Sequence, residues 1–456
     1  MRVYTLAAAL LCLAFACGCD RVDTASRADA PREVVFWHFW GGRDRPVVDD
    51  VIRRFNESQA DYRVRGVAMP GANLDLKVFL SLAGGDPPDL LNHDDPIIAD
   101  WAVRGALTSL DTLASGEEIA DLDAWLLPTA RELSRYDGRY YALVNGIDIR
   151  ALYYNKTWLE ELGLAPPTTL EELDRIAEAI APADRGLADR AGYLPDPRRL
   201  WAWGPVFGGA FEDASATGAD RVTLANPQVA DALRWMASYA DRYGADRVAS
   251  FRTGDQALTG ATFPLLADRR YAAIMDGQWR VRDIAEARER SRQRGEPFDQ
   301  IRVTPLPPPD GGVADAGWVN GNFFVVPRGA KRADGAWEFM KFWVGLGGRE
   351  AEAAETAAAG GWIPPSRSVI DEPRYQQLLQ EEPLLRVFVR LAASKAQRPT
   401  PVMPGGGVYY REVVAAAQDV VYRGADVEAR LNEAQRRVRR HMESIRVLRP
   451  VREATP

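Results

Sequence analysis

Residues 140–155 constrain the fold more than any other stretch of the chain. They read YYALVNGIDIRALYYN, in which two β-prone runs, 140–144 and 149–154, are joined by a short polar link. Long helical patterns precede and follow these runs, which predicts that the chain leaves one α/β unit here and enters another. A crossing between two lobes forms a cleft, and clefts bind small molecules. Asp148 and Arg150 would stand at its mouth; the alternative is one ordinary sheet with a surface ion pair.

Length and charge restrict the class of protein. With 456 residues the chain can bury a large core, and two domains are the natural expectation. A hydrophobic share of 46% and a charged share of 27% are those of a soluble globular protein. The formal net charge of -7 argues against nucleic acid as a partner, because nucleic-acid binding requires a basic surface.

The N-terminus has the pattern of a processing signal. Arg2 precedes an apolar run over residues 6–16 that is too short to span a bilayer as a stable helix. The run ends in Ala16-Cys17-Gly18-Cys19, which resembles a bacterial lipobox in which Cys19 receives the lipid. Cys17 is a rival acceptor, and an ordinary signal peptide cut nearby is the alternative.

This interpretation divides the first 32 residues into a lipoprotein signal peptide, residues 1–18, and a flexible tether, residues 19–32. All three cysteines of the chain lie here, so a disulfide framework is excluded. A chain without other thiols suits an oxidising compartment. Asp20 resembles an inner-membrane retention signal, which favours a lipid-anchored protein on the periplasmic side of the inner membrane, or at the cell surface.

Aromatic and acidic side chains recur where predicted strands end. Trp40 follows the first predicted strand beside two glycines, and Trp203 lies among the glycines of residues 200–209. Open α/β sheets bind ligands at the carboxyl ends of their strands, and a tryptophan flanked by glycine has little side-chain cover of its own. We therefore expect both indoles to contact a ligand, with core packing as the alternative. Asp94 and Asp95 follow another short strand, where a helix N-terminal cap is the alternative to a ligand contact.

Four segments in order resemble a known family. They read WHFWGG from Trp37, LAGGDPPDLL from Leu82, WAVRGALTSLD from Trp101, and the long run from Tyr140 to Ile180. Together with the lipobox-like end, they are similar to extracellular solute-binding proteins of ABC importers, in particular the sugar-binding family that includes maltodextrin-binding protein. The resemblance runs from about Val34 to Met442.

The resemblance implies a monomeric α/β protein with the two-lobed periplasmic-binding-protein (Venus flytrap) fold and three hinge crossings. The first lobe would comprise residues 33–147 and 305–349. The second lobe would comprise residues 148–304 and 350–456. Exact hinge positions are left open by the sequence.

The resemblance also implies binding residues in the cleft. In the family, a tryptophan after a strand such as residues 271–275 commonly contacts the sugar, which points to Trp279; the alternative is an aromatic side chain packed on the sheet at a helix start. Trp318 and Asn320 would return to the cleft from the first lobe. An aromatic side chain late in the chain helps to stack the sugar in maltodextrin-binding relatives, which makes Trp362 and Tyr409 weaker candidates.

Catalytic and metal signatures are missing from the sequence. It contains no HExxH, GxSxG or Walker motif, and its three histidines have no metal-ligand spacing. We therefore expect no enzyme activity, cofactor or metal. Asp94, Asp95 and Asp148 keep one alternative open, because a glycoside hydrolase needs an acid and a base that flank the bond.

The inventory favours binding of a carbohydrate, and the resemblance implies its delivery to the permease subunits of an ABC importer. Sugar rings stack on indoles, and their hydroxyls take hydrogen bonds from charged and amide groups. A receptor for a polyamine or a peptide is the other alternative. Which sugar is bound, its chain length and the cognate permease are not fixed by the sequence.

Overall fold

A computed structural model describes residues 30–69, 74–94, 97–184, 187–257 and 263–447. The predicted signal peptide with Cys19, most of the tether, and Asp95 lie outside the described residues. Within the described ranges the chain forms ten strands and eighteen α-helices. None of the helices in these ranges is long and apolar enough to cross a lipid bilayer.

The strands are short except for one in the middle of the chain. They are β1 (Arg32–His38), β2 (Tyr62–Ala68), β3 (Leu90–His93), β4 (Arg135–Tyr136), β5 (Arg139–Tyr140), β6 (Leu143–Asn155), β7 (Ala273–Gly277), β8 (Ile301–Thr304), β9 (Gly317–Val325) and β10 (Gln397–Pro399).

The helices fill the intervals between these strands and the C-terminal part of the chain. They are α1 (Arg45–Ser58), α2 (Leu74–Ala83), α3 (Ile98–Val103), α4 (Gly116–Trp125), α5 (Pro128–Ser134), α6 (Lys156–Glu161), α7 (Leu170–Ile180), α8 (Leu200–Val206), α9 (Pro227–Tyr243), α10 (Ala245–Ala257), α11 (Arg280–Arg294), α12 (Ala333–Val344), α13 (Glu350–Gly360), α14 (Arg367–Ile370), α15 (Pro373–Glu381), α16 (Leu385–Ala392), α17 (Gly406–Arg423) and α18 (Val427–Val447).

Eight strands are connected by hydrogen bonds, in the order β2-β1-β3-β9-β6-β7, with β10 also paired to β9 and β8 also paired to β6. β1 is parallel to β2 and β3, whereas β9 is antiparallel to both β3 and β6. Two antiparallel partners, β7 and β8, pair with the end of β6. The remaining strands, β4 and β5, form a separate hairpin.

β6 joins the two parts of this arrangement. Its first part, residues 143–149, pairs with β9, and its second part, residues 150–155, pairs with β7 and β8. The prediction of two strands separated by a polar link was wrong, because the backbone of the link continues the ladder. An irregularity in register between Val144 and Gly146 accommodates the link within one strand.

α1 has the inner face that its sequence pattern predicts. Val48, Val51, Ile52 and Phe55 are all buried, as expected for apolar residues repeated at three- and four-residue intervals. Phe55 packs edge-on against Phe339 of α12, with ring centres 5.1 Å apart. α1 and α12 therefore form one helical layer beside the parallel strands.

The chain after α12 first stays with this layer and then leaves it. α13 packs against both α1 and α12, although the sequence analysis placed its residues in the second lobe. α16 instead packs on β6, where Phe388 lies 5.5 Å from the ring of Tyr153. The chain therefore passes from the α1–α12 layer to β6 between α13 and α16.

Candidate functional site

Asp148 and Arg150 lie on one face of β6, because side chains two residues apart on a strand point to the same side. Asp148 is opposite Asn320 of β9, and Arg150 is opposite Gly277 of β7. Residues from three strands thus meet at the point where β6 changes partners. Three of the residues that the sequence analysis proposed for ligand binding are brought together there.

Gly277 allows an indole ring to approach β6. A Cβ atom added to this glycine would lie 2.2 Å from ring atoms of Trp279, so any side chain here would collide with the indole. Trp279 therefore folds back over the glycine and is left partly buried. Gly277, two residues before Trp279, thus fixes the position of this indole, which is the fourth of the proposed binding residues at the site.

Two indoles stack on the guanidinium group of Arg150. Its Cζ atom is 4.9 Å from the centre of the Trp279 ring and 4.4 Å from that of Trp318. Trp318 is held by its Nε1–H, which donates a hydrogen bond to Thr400 Oγ1 at 3.1 Å. A desolvated cation–π contact contributes roughly 2 kcal/mol, so the two rings stabilise the buried positive charge of Arg150.

The edge of the same guanidinium is not satisfied. Arg150 is 7% exposed, and its Nε and Nη1 are buried without a hydrogen-bond partner among the described residues. Its pKa is lowered to about 10, first by burial and second by the positive charge of Arg199, while Asp148 and Asp276 act in the opposite direction. The group therefore stays charged at neutral pH.

Gln278 is a member of this cluster that sequence reasoning missed. Its Nε2 donates hydrogen bonds to Asp148 Oδ1 at 2.8 Å and to the carbonyl of Ile147 at 3.1 Å. Its Oε1 accepts the backbone N–H of Ile149 at 3.1 Å. The side chain, 3% exposed, ties β7 to β6 and fixes the carboxylate of Asp148. Its only signal in the sequence was its position next to Trp279.

Asn320 connects the cluster to the segment after β3. Its Nδ2 donates to the backbone carbonyl of Asp94 at 3.0 Å, and its Oδ1 is buried without a partner among the described residues. Asp94 itself is exposed. An amide oxygen without a partner, close to a strand end, is available to a ligand hydroxyl.

A polar cavity of about 500 Å³ adjoins Trp279. Its charged lining residues are Asp196, Arg198, Arg199, Arg252, Asp255, Asp276 and Arg280. Three of the arginines pair with the three aspartates, at distances of 2.8 to 3.6 Å. Arg199 makes no ion pair with any described residue, and its Cζ is 5.9 Å from the centre of the Trp318 ring.

Trp40 and Trp362 belong to a different cluster. Both stack on each other and on Trp343 of α12, with ring centres 5.2 to 5.8 Å apart. Trp40 is 6% exposed, and Trp362 is partly buried. Among the described aromatic contacts, none joins these rings to Trp279 or Trp318. The structure thus places the two residues together, but within the layer formed by α1 and α12.

Trp203 lies in the core of the second part of the chain. It is fully buried, and its ring lies 4.5 Å from that of Trp235 on α9. The glycines around it give close backbone packing rather than an open surface; a Cβ on Gly204 would lie 2.8 Å from Phe211. Trp203 offers no face to a ligand in this conformation, and we do not retain it as a candidate.

Ion pairs link α11 to the segment that follows β1. Arg43 Nη1 lies 2.7 Å from Asp283 Oδ1, and Arg282 Nη1 lies 2.7 Å from Asp44 Oδ1. Arg282 also donates to the carbonyl of Gly360, at the end of α13, at 3.0 Å. Each side therefore supplies an arginine to an acidic residue of the other. We call these two arginine–aspartate pairs, Arg43–Asp283 and Arg282–Asp44, the reciprocal pairs.

The chemistry of the cluster suits reversible binding. It offers stacked indoles, a charged guanidinium edge, an amide oxygen and a fixed carboxylate, all at the junction of two groups of strands. Within the described residues, no group of three His, Cys, Asp or Glu side chains is placed to hold a metal ion. A two-lobed α/β fold with such a junction defines a protein that binds a small polar solute.

Comparison with known proteins agrees with this class. The family described as bacterial extracellular solute-binding protein matches residues 43–349, and the chain belongs to that family. Its members serve ABC importers and are located outside the cytoplasm.

Relatives extend the similarity over most of the chain. A maltotriose-binding protein of Pyrococcus abyssi is 23% identical over 425 residues, which cover 90% of this chain and 83% of the relative. The sugar-binding protein MalE of Xanthomonas citri superimposes with a TM-score of 0.72 at 19% identity, over 91% of this chain and 98% of that one. UgpB of Mycobacterium tuberculosis, solved with glycerophosphocholine, gives a TM-score of 0.69 at 19% identity, over 91% and 99% of the two chains. These structural likenesses show the fold.

Proposed function

We propose that the chain is a monomeric receptor that binds a carbohydrate in the cleft between its two lobes. The observation that carries the proposal is the convergence at β6 of Trp279 and Trp318 with polar groups of Asp148, Gln278 and Asn320. Indoles pack on the C–H faces of sugars, and carboxylate and amide groups bond to hydroxyls. The similarity to a maltotriose-binding protein supports the same class of ligand.

In this proposal the first lobe comprises residues 33–147 and 305–349, as the sequence predicts, together with residues 350–381, because α13 packs on α1 and α12. The second lobe comprises residues 148–304 and the chain after residue 381. A ligand that contacts both lobes shifts the equilibrium between open and closed forms by its differential affinity for them. The closed form would be recognised by the permease subunits of an ABC importer.

Thermal unfolding of the purified protein tests the ligand class. The panel contains maltotriose, mannotriose, glucose, spermidine and a neutral tripeptide. A ligand at a hundredfold excess over its dissociation constant adds roughly 2.7 kcal/mol to the free energy of unfolding. We expect an oligosaccharide to raise the midpoint and to be recovered intact at one-to-one stoichiometry. Release of shorter sugars over time would support the glycoside-active alternative, and a shift by the tripeptide alone would refute a carbohydrate ligand.

A cationic ligand such as a polyamine is disfavoured by the charges at the junction. The groups left without a polar partner there include the guanidinium of Arg150, and Arg199 makes no ion pair with any described residue. A polyamine would add positive charge next to both. A midpoint raised by spermidine and by no sugar would contradict this reasoning.

Trp279→Ala tests the position of the binding site. The loss of one stacking face should weaken the binding of the oligosaccharide identified above by about 1 kcal/mol, roughly fivefold in Kd. Trp125→Ala is the matched control, because Trp125 is also partly buried but lines a different cavity, next to Lys341. Unchanged affinity in Trp279→Ala, measured by isothermal titration calorimetry, would remove this residue from the site.

We also propose that Cys19 carries a lipid that anchors the protein to the membrane, so that it delivers its ligand at the membrane surface. Cys19→Ser should move the protein from the membrane fraction to the soluble periplasmic fraction. Cys17→Ser is the matched control and should leave the protein in the membrane fraction. The opposite pattern would assign the lipid to Cys17, and retention of both variants would refute an anchor at this motif.

A further inference from the structure

The described part of the fold does not supply hydrogen-bond acceptors for part of the Arg150 guanidinium. Its Cζ lies over the indole rings of Trp279 and Trp318, but the donors at Nε and Nη1 are buried without an acceptor among the described residues. A buried charged donor without an acceptor loses its hydration without compensation. Asp148 and Asp276 influence it through space only, and no ion pair to either is formed within 4.0 Å.

A second arginine near the same indole is also without an ion pair. Arg199 lies over the ring of Trp318 and lines the cavity next to Trp279. The other three arginines of the cavity lining form ion pairs with its three aspartates, whereas Arg199 forms none with a described residue and acts on Asp196 only through space. The positive charge of Arg199 also acts unfavourably on Arg150 and lowers its pKa. Two cations share one aromatic ring, and no described anion pairs with either.

Each nearby carboxylate is already committed to another group. Asp276 forms an ion pair with Arg280 at 2.9 Å, and Asp148 accepts a hydrogen bond from Gln278 at 2.8 Å. A rotation of either carboxylate towards Arg150 would break one of these interactions. No described protein group accepts from Nε or Nη1 in this conformation, which leaves these donors to water or to the ligand.

We propose that the ligand carries an anionic oxygen group, a carboxylate or a phosphate, which binds between Arg150 and Arg199 beside Trp318. Charge-assisted hydrogen bonds of arginine to such groups are about twice as strong as neutral ones. The inference rests on the proposed function and narrows its ligand to an acidic saccharide, a uronate or a sugar phosphate. The sugar ring would lie against the exposed part of Trp279, and its acidic group would neutralise the two arginines.

Matched neutral and acidic probes test the inference by calorimetry. The pairs are glucose against glucuronate and glucose 6-phosphate, maltotriose against trigalacturonate, and glycerol against glycerol 3-phosphate. We expect the acidic member of a pair to bind at least tenfold more tightly than the neutral member, a difference of about 1.4 kcal/mol. Stronger binding of the phosphate probe between pH 5 and 7, where its second ionisation occurs, would identify phosphate; a pH-independent preference would identify carboxylate.

Two variants separate the arginines from the rest of the site. Arg199→Gln removes a partly buried group that makes no ion pair, so the fold should be retained, and it should reduce the preference for the acidic probe at least tenfold. Arg150→Gln should also reduce the preference for the acidic probe at least tenfold. Arg150→Lys keeps the positive charge and should retain part of this preference. Arg302→Gln, an exposed arginine on β8, is the control with the same change in net charge and should keep the full preference.

The outcomes distinguish this inference from the proposed function. If neutral oligosaccharides bind more tightly than acidic ones, the carbohydrate receptor stands and the anionic ligand is refuted. If glycerol 3-phosphate binds and no saccharide does, the anionic site stands and the carbohydrate is refuted. A preference for acidic probes that survives in both Arg150→Gln and Arg199→Gln would also overturn the assignment of the two arginines.

Discussion

His38, at the end of β1, should make the stability of the protein depend on pH. Its ring is fully buried, with centres 5.2 Å from Phe36 and 6.0 Å from Trp40. Neither ring nitrogen makes a hydrogen bond of good geometry with a described residue, and a backbone contact with Trp40 raises the pKa by less than burial lowers it. Burial, and secondly the charge of Arg45, lower the pKa of His38 from 6.5 to about 4.

The size of the effect follows from the two pKa values. Between pH 6.5 and about 4 the unfolded chain binds a proton at His38 that the folded chain does not bind. The stabilisation is therefore fully present above pH 6.5 and is lost as the pH falls towards 4. A pKa lowered from 6.5 to about 4 corresponds to about 3.4 kcal/mol in total, of which about 2 kcal/mol is lost at pH 5.

Urea unfolding followed by tryptophan fluorescence at pH 7.5 and pH 5 measures this loss. We expect His38→Leu to reduce the difference in unfolding free energy between the two pH values by about 2 kcal/mol. At pH 7.5 the variant should be at least as stable as the parent, because it removes two buried polar atoms without partners. Ile52→Val, in the same core, is the control and should change stability while keeping the full pH dependence. An equal pH dependence in His38→Leu and the parent would refute the assignment of this loss to His38.

Three further substitutions test other parts of the structure. Glu118→Gln should destabilise the protein by about 1 kcal/mol at pH 7, because Lys341 and the capping box lower the pKa of this partly exposed carboxyl group to about 2. In urea unfolding, the difference from the parent should disappear as the pH falls from about 4.5 to 2. Gly192→Ala should cost about 1 to 3 kcal/mol in thermal unfolding, because its Cβ would lie 2.2 Å from the carbonyl oxygen of Ile176. Arg282→Ala removes one of the reciprocal pairs, so the radius of gyration from X-ray scattering should increase at low salt, with a smaller increase at 1 M NaCl.

Each of these substitutions has a matched control. Glu117→Gln changes the neighbouring exposed residue of the same helix turn and should leave the acid dependence as it is. Gly116→Ala places its Cβ in open space and should be neutral in thermal unfolding. Arg290→Ala removes an exposed arginine of α11 whose ion pair, with Glu286 at 3.8 Å, lies within the same helix. This variant should leave the scattering curve unchanged. A response of any control equal to that of its partner would contradict the corresponding argument.

The elements with local causes could be predicted from the sequence. The buried face of α1 follows from the spacing of its apolar residues, and the start of α7 follows from the capping box of Thr169 and Glu172, which the structure contains. Asn226 likewise caps α9 with Pro227 at the first position. In each case every determining residue lies within four positions of the next, so the pattern can be recognised without knowledge of the fold.

β6 shows where local reasoning fails. Asn145, Gly146 and Asp148 are typical of a break between strands, and the sequence predicted one. The strand continues because β9, which lies far along the chain, supplies partners on both sides of the irregularity. Such a partner overrides the local preference of three polar residues, and only the tertiary structure shows it.

The tryptophans show the same limit within the site. Trp203 directly precedes Gly204 and Trp279 lies two residues after Gly277, yet the first is fully buried against Trp235 and the second is partly buried beside Arg150. The glycine neighbour has opposite consequences, because what covers an indole comes from distant elements. Gln278 had no distinguishing pattern of its own and could not have been selected.

The order of the strands has a consequence for synthesis of the chain. β9 lies between β3 and β6 in the sheet, although it comes long after both in the sequence, at Gly317–Val325. A ribosome releases β3 long before its partner β9 exists, and closing such a long loop is slow. The nascent chain therefore cannot complete this sheet until residues beyond Val325 have emerged. β3 and β6 therefore lack the strand that joins them in the sheet until β9 has been synthesised.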